Sequence, residues 1–256
     1  SFLDLDRSRV IQILNDNFIS QRPALGRKLA KYEWLRCIKM NALTLAVSPA
    51  LIEISKEAGT KVELFYPWST PYSEPTNMGA KRDKILYYGF TGGRLRWDVI
   101  KGFLDKGVSI DVITPLEKTK KIDVQWIERL KVYSNFQLFD SRSLNELDLS
   151  KYCCSIQPYN QDIKNSEVIA FSNRTIRLLS KGIPALHENL PSLIEAPRSV
   201  IFKAIDIEEY IEGYFFFRAK FNKIQVSIKE FVHNHTEEAR IKQLNNLLNE
   251  TFTDEL

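Results

Sequence analysis

The positions of apolar and polar residues change in a regular way along most of this chain. After residue 83, short apolar runs alternate with segments whose apolar residues recur at helical spacing. Such alternation is typical of a parallel sheet that is covered by helices on both faces. The apolar runs predict six strands, at 84–90, 109–115, 136–140, 152–159, 183–188 and 199–204. Helices are predicted at 94–107, 124–133, 143–150, 172–180 and 191–196, and from residue 207 onward.

A shorter stretch of the same kind comes earlier in the chain. Apolar runs at 42–48 and 61–67 predict two strands with a helix between them. Residues 26–40 carry apolar side chains at helical spacing, and residues 4–18 favour a short amphipathic helix. These strands are expected to lie outside the main sheet.

The two α/β stretches are separated by residues 68–83, which are rich in Pro, Ser, Thr and Gly and have no periodicity. Such a composition predicts a linker. We therefore divide the chain into a partial N-terminal region, 1–75, and a C-terminal domain with a long helical tail, 76–256.

Composition narrows the class of protein only modestly. The net charge is +4 over 256 residues, and the basic residues are scattered. This pattern favours an ordinary soluble surface, with a groove for a phosphorylated ligand or an anionic membrane surface as alternatives. A nucleic-acid binder would need a concentrated basic stripe with aromatic residues, so we expect no nucleic-acid partner. No apolar run approaches the ~20 residues that span a bilayer.

Cysteine and histidine usage adds little chemistry. Cys37, Cys153 and Cys154 lie in apolar or amphipathic surroundings and are predicted to be buried thiols, which fits a reducing cytoplasm. The sequence HNH at 233–235 lies in a polar helical stretch and is predicted to be a solvated face. The histidines have no metal-ligand spacing, so no metal is expected.

Residues 172–175 are a cluster of polar side chains in front of an apolar helical run. Open parallel sheets bind ligands at the carboxyl ends of their strands, where unpaired N–H groups at helix N-termini favour anions. Ser172, Asn173, Arg174 and Thr175 supply hydroxyls, an amide and a guanidinium suited to a phosphate. The alternative is that Ser172 or Asn173 merely caps the helix and Arg174 points into solvent.

A glycine-rich turn is predicted after the first strand of the main sheet. Gly89, Gly92, Gly93 and Arg94 lie where the backbone can approach a bulky phosphate closely. The stretch is neither GxGxxG nor a P-loop, and a simple tight turn is the alternative. Its predicted position, on the same sheet edge as residues 172–175, supports a shared anion site.

The order of these motifs resembles that of GT-B-type glycosyltransferases, enzymes with two Rossmann-like domains. The stretch 42–70 is similar to the end of that family's N-terminal domain, and 84–115 to the opening βαβ unit of its C-terminal domain. The segment 152–196 is similar to the donor-binding segment, through its sequence IQPY, a polar loop, SNR, a helix and GIPA. The resemblance covers roughly residues 40–205 and rests on motif order.

The resemblance implies a GT-B, Rossmann-like fold and transfer of a sugar from a nucleotide-diphosphate sugar to a glycan, lipid-linked or other acceptor. It further implies polysaccharide or glycoconjugate biosynthesis in the cytoplasm, with peripheral membrane association as an option. Backbone amides and cations would stabilise the departing diphosphate without a bound metal. The donor-binding residues would be Gly92, Gly93, Arg94, Tyr159, Ser172, Asn173, Arg174, Thr175 and Arg177.

The sequence also departs from the family pattern. Arg177 occupies the helix position at which many relatives carry a glutamate that binds the donor ribose, and Glu167 is not a clean substitute. The N-terminal region is short for a full domain, so the resemblance identifies no catalytic base. An alternative is therefore a non-catalytic nucleotide- or sugar-phosphate-binding module with a scaffolding role. The aromatic stretch 212–221 predicts a core-facing helix, with a membrane-facing or domain-facing surface as the alternative.

Overall fold

The computed structural model describes residues 10–14, 24–141, 144–159, 172–190 and 193–252. The strands are β1 Ile11–Leu14, β2 Leu43–Ala46, β3 Val62–Leu64, β4 Lys84–Tyr88, β5 Ser109–Ile113, β6 Phe136–Phe139, β7 Tyr152–Gln157, β8 Ala185–Glu188 and β9 Ile201–Ala204. The α-helices are α1 Ala24–Met40, α2 Pro49–Ser55, α3 Trp97–Asp105, α4 Lys121–Leu130, α5 Asn173–Ser180, α6 Ile207–Lys220, α7 Gln225–His233 and α8 Glu237–Phe252.

The larger sheet has the order β6-β5-β4-β7-β8-β9, and all its neighbouring strands are parallel. The predicted parallel sheet from Lys84 to Ala204 is thereby confirmed. Counted from β4, the order is 3-2-1-4-5-6, the doubly wound order of Rossmann folds. The strand order reverses between β4 and β7, so the crevice at their carboxyl ends is the place where such sheets bind ligands.

The smaller sheet has the order β1-β2-β3 and is also parallel. Helices α1 and α2 cover one face, where Trp34, Ile38 and Leu51 are buried. Helix α8 covers the other face, against Leu43, Leu45 and Phe65. The end of the described chain therefore packs against the first sheet, while the boundary between residues 75 and 76 stays a prediction.

The chain passes from one sheet to the other in the linker and again at the turn between α7 and α8, and these two segments lie side by side. The amide of Ser69 donates to the carbonyl of His235, 3.1 Å away, and Ser69 forms an isolated parallel bridge with Thr236. Further along the linker, the Arg82 guanidinium donates to the carbonyls of Leu149, Tyr152 and Thr76 and lies 4.2 Å from the centre of the Phe221 ring. The predicted linker is thus fixed by hydrogen bonds at both ends.

Three secondary-structure predictions were wrong. Ile11–Leu14 is a strand rather than part of a helix, because pairing with β2 outweighs a weak local pattern. The helix predicted at 143–150 is replaced, over its described residues 144–150, by 3₁₀ turns at Leu144–Glu146 and Leu149–Lys151. Residues 193–196, the described part of the last short predicted helix, are irregular, and Pro197 disfavours helical geometry at the preceding residue.

The predicted solvated face at 233–235 was also wrong for one residue. His235 is 8% exposed and its ring lies 4.6 Å from that of Phe231, whereas His233 and Asn234 are exposed. Burial, and then the charge of Arg240, lower the pKa of His235 to about 4. Its buried ring helps to fix the turn between α7 and α8.

Candidate functional site

The Arg174 guanidinium lies across the backbone at the carboxyl end of β4. A Cβ atom added to Gly89 would lie only 2.0 Å from Nη1 and 2.2 Å from Cδ of Arg174. The guanidinium donates to the carbonyl of Phe90, at 3.3 Å, and approaches the Tyr159 hydroxyl at 3.5 Å. Glycine is needed at position 89 because its φ is +135° and because any side chain would displace Arg174.

The surroundings of Arg174 favour its charged form. Burial opposes a charge on the guanidinium, but the neighbouring Tyr159 and Tyr87 raise its pKa above the ordinary value. The capping alternative would have required the Arg174 side chain to point into solvent. The side chain is instead half-buried. The positively charged Arg174 guanidinium therefore lies in the crevice between β4 and β7.

The predicted glycine turn lies beside this cation. Gly92 and Gly93 have φ values of +58° and +71°, in the left-handed region that glycine adopts readily. The amide of Arg94 donates to the carbonyl of Thr91 and closes the turn. The Phe90 ring lies over Gly92, since a Cβ there would be 2.9 Å from Phe90 Cε1.

A buried carboxylate that the sequence analysis did not single out holds this turn. Asp123, in α4, is 1% exposed and accepts hydrogen bonds from the Thr91 hydroxyl at 2.9 Å, the Gly93 amide at 2.7 Å and the Trp97 indole at 2.8 Å. The N–H group of Gly93 therefore already donates to Asp123 and is not available to a ligand. Gly93 contributes to the site through its left-handed backbone conformation and its lack of a side chain.

Lys120 is a further cation next to the glycine turn that the sequence analysis missed. A Cβ added to Gly93 would lie 3.1 Å from Lys120 Cδ and 3.8 Å from its Nζ. Arg94 lies within the turn itself and is partly exposed. The glycine turn is therefore flanked by positive charge.

The start of α5 is capped by Ser172. Its side chain accepts from the Thr175 amide at 3.2 Å, and the two hydroxyl oxygens are 3.0 Å apart. Thr175 is completely buried, whereas Asn173 is exposed. Ser172 and Thr175 thus shape the helix terminus from inside, and Asn173 and Arg174 present side chains at its surface.

Tyr159 connects the two parts of the site. It is 2% exposed, and its backbone forms an isolated antiparallel bridge with Leu95, just after the glycine turn. Its hydroxyl donates to Gln157 Oε1 at 2.8 Å, and its ring lies 5.6 Å from that of His187. The predicted donor-binding tyrosine therefore lies beneath the surface, where it supports Arg174.

His187 and Gln157, at the ends of β8 and β7, form a buried pair beneath Tyr159. Both are completely buried and face each other in register. His187 Nδ1 bonds to the carbonyl of Glu188 at 2.8 Å, and burial lowers its pKa to about 4, so the ring is neutral. Among the described residues, His187 Nε2 and Gln157 Nε2 have no hydrogen-bond partner.

Arg96 has a structural role, because its guanidinium bonds to other groups of the protein. It pairs with Glu188 at 3.1 Å, and Glu188 also accepts from the Tyr210 hydroxyl at 3.0 Å. Arg96 further donates to the carbonyl of Ile205 at 2.7 Å. These contacts join the start of α3 to β8 and α6, and they occupy the guanidinium.

Arg177 lines a cavity to which Arg174 does not contribute. The cavity has a volume of about 540 Å³ and lies between the linker, the end of β4 and the outer side of α5. Its lining residues are Trp68, Ser69, Thr70, Tyr88, Leu144, Asn145, Arg177, Ser180, Lys181 and Glu237. Because Tyr88 precedes Gly89, this cavity adjoins the place where Arg174 lies.

The described residues contain no cluster of three or more His, Cys, Asp and Glu side chains placed to hold a metal ion. The expectation that no metal takes part stays a prediction. None of the described helices is long and apolar enough to cross a bilayer.

Neither a family model nor a curated protein matches this sequence, whereas several solved structures resemble its fold. HepE from Anabaena, solved with UDP and glucose, superimposes with a TM-score of 0.66 at 10% identity over 94% of this chain and 71% of HepE. TarM gives 0.65 at 11% identity over 94% of this chain and 50% of TarM. WaaG, a glycosyltransferase involved in lipopolysaccharide biosynthesis, gives 0.55 at 12% identity over 92% and 75%.

These likenesses establish the architecture of the chain. It has the GT-B fold, as its resemblance in sequence predicted. The chain spans only half the length of TarM. At identities this low, the assignment of chemistry rests on the residues of the crevice.

Proposed function

We propose that this chain binds a nucleotide-diphosphate sugar and takes part in transferring its sugar to an acceptor. The observation that carries the proposal is the Arg174 guanidinium, lying against Gly89 beside the Gly92–Gly93 turn in the crevice between β4 and β7. A cation, a helix N-terminus and a glycine turn meet there, and together they match a diphosphate.

In the proposed reaction, an acceptor hydroxyl oxygen forms a bond to the anomeric carbon and loses its proton to water. The bond between the anomeric carbon and the β-phosphate oxygen breaks, and negative charge grows on the leaving nucleoside diphosphate. Donors already fixed in place stabilise that charge without reorganising. Arg174 would supply a planar pair of N–H groups, and Lys120 and Arg94 additional positive charge near the turn. No metal ion is required in this proposal.

The adjoining cavity is proposed to hold the nucleoside. Its volume of about 540 Å³ lies within the usual range for small-molecule sites, and Trp68 and Tyr88 offer aromatic surfaces for a base. Arg177 stands where the family resemblance predicts a ribose-binding glutamate. A guanidinium donates hydrogen bonds to hydroxyl oxygens, whereas a carboxylate accepts them. The ribose hydroxyls would therefore accept hydrogen bonds from Arg177, where they would donate to a glutamate.

The acceptor is proposed to be a glycan or a lipid-linked molecule, in polysaccharide or glycoconjugate biosynthesis at the cytoplasmic side of a membrane. HepE was solved with UDP and glucose, and WaaG is described as acting in lipopolysaccharide biosynthesis. These relatives support the general reaction class and leave the sugar to experiment.

Calorimetry with UDP, GDP, ADP and TDP tests the binding step. We expect at least one of them to bind, and Arg174→Ala to weaken it by about 10- to 150-fold, the value of one charge-assisted hydrogen bond of 1.5–3 kcal/mol. Arg218→Ala is the matched control, because Arg218 is exposed on α6, outside the cavity. Failure of all four nucleotides to bind at millimolar concentration would refute the proposal.

Turnover is tested separately from binding. Slow hydrolysis of the matching nucleotide sugar, measured without an acceptor and in the presence of a chelator, is expected to depend on Arg174. Tight nucleotide binding with no hydrolysis and no transfer to any acceptor would leave a binding module in place of an enzyme.

A further inference from the structure

Phe90 is an exposed aromatic residue in the crevice, and the proposed function so far gives its ring no role. It follows Gly89 directly and is 43% exposed. Among the described residues, the hydrophobic core of the larger sheet contains Tyr87, and Tyr88 packs against that core, but Phe90 does neither. Burial in the core therefore does not account for the Phe90 ring.

Phe90 is nevertheless held in place at its backbone and at its ring. Its carbonyl accepts hydrogen bonds from the Tyr87 hydroxyl at 3.0 Å and from Arg174 Nη1 at 3.3 Å. Its ring lies on the glycine turn, because a Cβ added to Gly92 would be 2.9 Å from Phe90 Cε1 and 3.1 Å from Cδ1. A side chain that is fixed before a ligand arrives loses little conformational freedom on binding.

The two glycines of the turn have different neighbours. The Phe90 ring lies at Gly92, whereas a Cβ added to Gly93 would be 3.8 Å from Lys120 Nζ. An aromatic ring and a cation therefore flank the same turn. A ligand that matches both has an anionic group directly beside an apolar face.

A nucleotide-diphosphate sugar has this combination where its sugar joins the β-phosphate. In a pyranose of the glucose type, the ring hydroxyl groups are equatorial, so the axial C–H groups form apolar faces. Such a face can pack on the face of an aromatic ring, which removes apolar surface of both partners from water. The nucleoside diphosphate without its sugar has no such face at that end.

Phe90 is placed at the sugar end of the proposed ligand. The described lining of the cavity proposed for the nucleoside includes Tyr88 but not Phe90. The Phe90 carbonyl binds the guanidinium of Arg174, which is proposed to hold the diphosphate. Since the diphosphate separates the nucleoside from the sugar, a ring beside the diphosphate and outside the nucleoside cavity meets the sugar.

We propose that the Phe90 ring stacks on the transferred sugar and selects a pyranose of the glucose type. This inference rests on the proposed function, because it requires a nucleotide sugar in the crevice. Phe90 takes part in recognition of the sugar and not in breaking its bond to the diphosphate. Its replacement should therefore weaken binding of the nucleotide sugar and spare binding of the nucleotide.

Calorimetry with paired ligands tests the inference. UDP, GDP, ADP and TDP are each compared with their glucose conjugates, on the parent chain and on Phe90→Ala. In Phe90→Ala, the glucose conjugate of the nucleotide that binds is expected to lose about fivefold to tenfold in affinity, the effect of leaving roughly 40–60 Å² of apolar surface in water. The affinity for the nucleoside diphosphate itself should stay as in the parent chain.

Two further replacements separate an aromatic face from apolarity in general. Phe90→Trp keeps a flat aromatic face and should keep the affinity for the glucose conjugate, whereas Phe90→Leu should lose most of the sugar-dependent part. Phe215→Ala is the matched control, because Phe215 is 52% exposed on α6, where its ring lies 5.1 Å from that of Tyr214. It should bind both ligands as the parent chain does. Circular dichroism and melting temperature confirm that each variant is folded.

Three results would overturn the inference and leave the proposed function in place. The first is an equal loss of affinity for the nucleoside diphosphate and its glucose conjugate in Phe90→Ala, which would assign the ring to the nucleotide or to the shape of the turn. The second is unchanged affinity of Phe90→Ala for both ligands. The third is a parent chain that binds a nucleoside diphosphate but not its glucose conjugate. If the parent chain binds no nucleoside diphosphate, the proposed function itself is refuted, and this inference with it.

Discussion

The replacement Gly89→Ala gives the sharpest test of the crevice. A methyl group at this position would lie 2.0 Å from Nη1, 2.2 Å from Cδ and 2.8 Å from Cζ of Arg174. Contacts this short are forbidden, so the guanidinium must leave the carboxyl end of β4. The variant therefore removes Arg174 from its place without changing Arg174 itself.

Gly89→Ala is expected to have two separable effects, one on folding stability and one on nucleotide affinity. A φ of +135° is unfavourable for alanine, and such backbone strain costs about 1–3 kcal/mol of folding free energy. Displacement of Arg174 should weaken nucleoside-diphosphate binding by the same 10- to 150-fold as Arg174→Ala, because either change removes one charge-assisted contact of about 1.5–3 kcal/mol. The double variant should bind about as weakly as either single variant.

Gly107→Ala is the matched control. Gly107 has a φ of +75°, and a Cβ there would meet nothing within 4 Å. Alanine is therefore strained at position 107 by about 1–2 kcal/mol but displaces no side chain. Urea denaturation measures the strain in both variants, and calorimetry measures nucleotide affinity. If Gly89→Ala is folded and binds nucleotide as tightly as Gly107→Ala, Arg174 is not a phosphate ligand.

The main sheet could be predicted because its strands are buried on both faces and so appear as continuous apolar runs. Tyr152–Gln157, for example, is buried at every position. Ile11–Leu14 could not be predicted in this way. It lies at the edge of the smaller sheet, with Ile11 and Ile13 partly exposed, and its strand state follows from pairing with β2.

The candidate site was predictable only where a short sequence stretch carries its own geometry. The glycines at 92 and 93 and the cap at Ser172 are local features, and the structure has a left-handed turn and a capped helix there. Asp123 had no such signal, because it sits within an ordinary amphipathic helix and meets the glycine turn only in three dimensions. The ligand-binding roles of the predicted donor-binding residues remain predictions.

Helical spacing alone does not separate the surroundings of two predicted donor-binding arginines. Arg174 and Arg177 are three positions apart in α5, which places them on the same side of the helix. Arg174 lies against Gly89, whereas Arg177 lines the adjoining cavity. A long, flexible side chain reaches away from its Cα, so helical position predicts the neighbourhood of a guanidinium but not its contacts.

Three further predictions concern buried polar groups. Asp123→Asn replaces one acceptor oxygen by an NH₂ group, so at least one of the donors Thr91, Gly93 and Trp97 loses its partner; it should cost about 1–3 kcal/mol in urea denaturation, with weaker nucleotide binding. Asp111→Asn changes a completely buried carboxylate in the middle of β5, which is bonded to Lys84, Lys151 and Tyr152 near the amino ends of β4 and β7. It should cost about 1–3 kcal/mol, because both lysines are partly exposed and keep their charges solvated, while nucleotide affinity, measured on the folded protein, stays unchanged. The last prediction concerns pH. Burial is the main cause that lowers the pKa of His187 to about 4, against about 6.5 in the unfolded chain. The unfolded chain therefore binds the extra proton between these values, so the contribution of His187 to stability is complete above pH 6.5 and is lost as the pH falls toward 4. The loss amounts to about 3 kcal/mol, at 1.36 kcal/mol per pKa unit. His187→Asn should flatten the fall in unfolding free energy between pH 6.5 and 4, and the similarly buried His235 should account for part of the fall that remains. Urea denaturation across that range is the measurement, and an unchanged slope in His187→Asn would show that His187 titrates alike in the folded and unfolded chain.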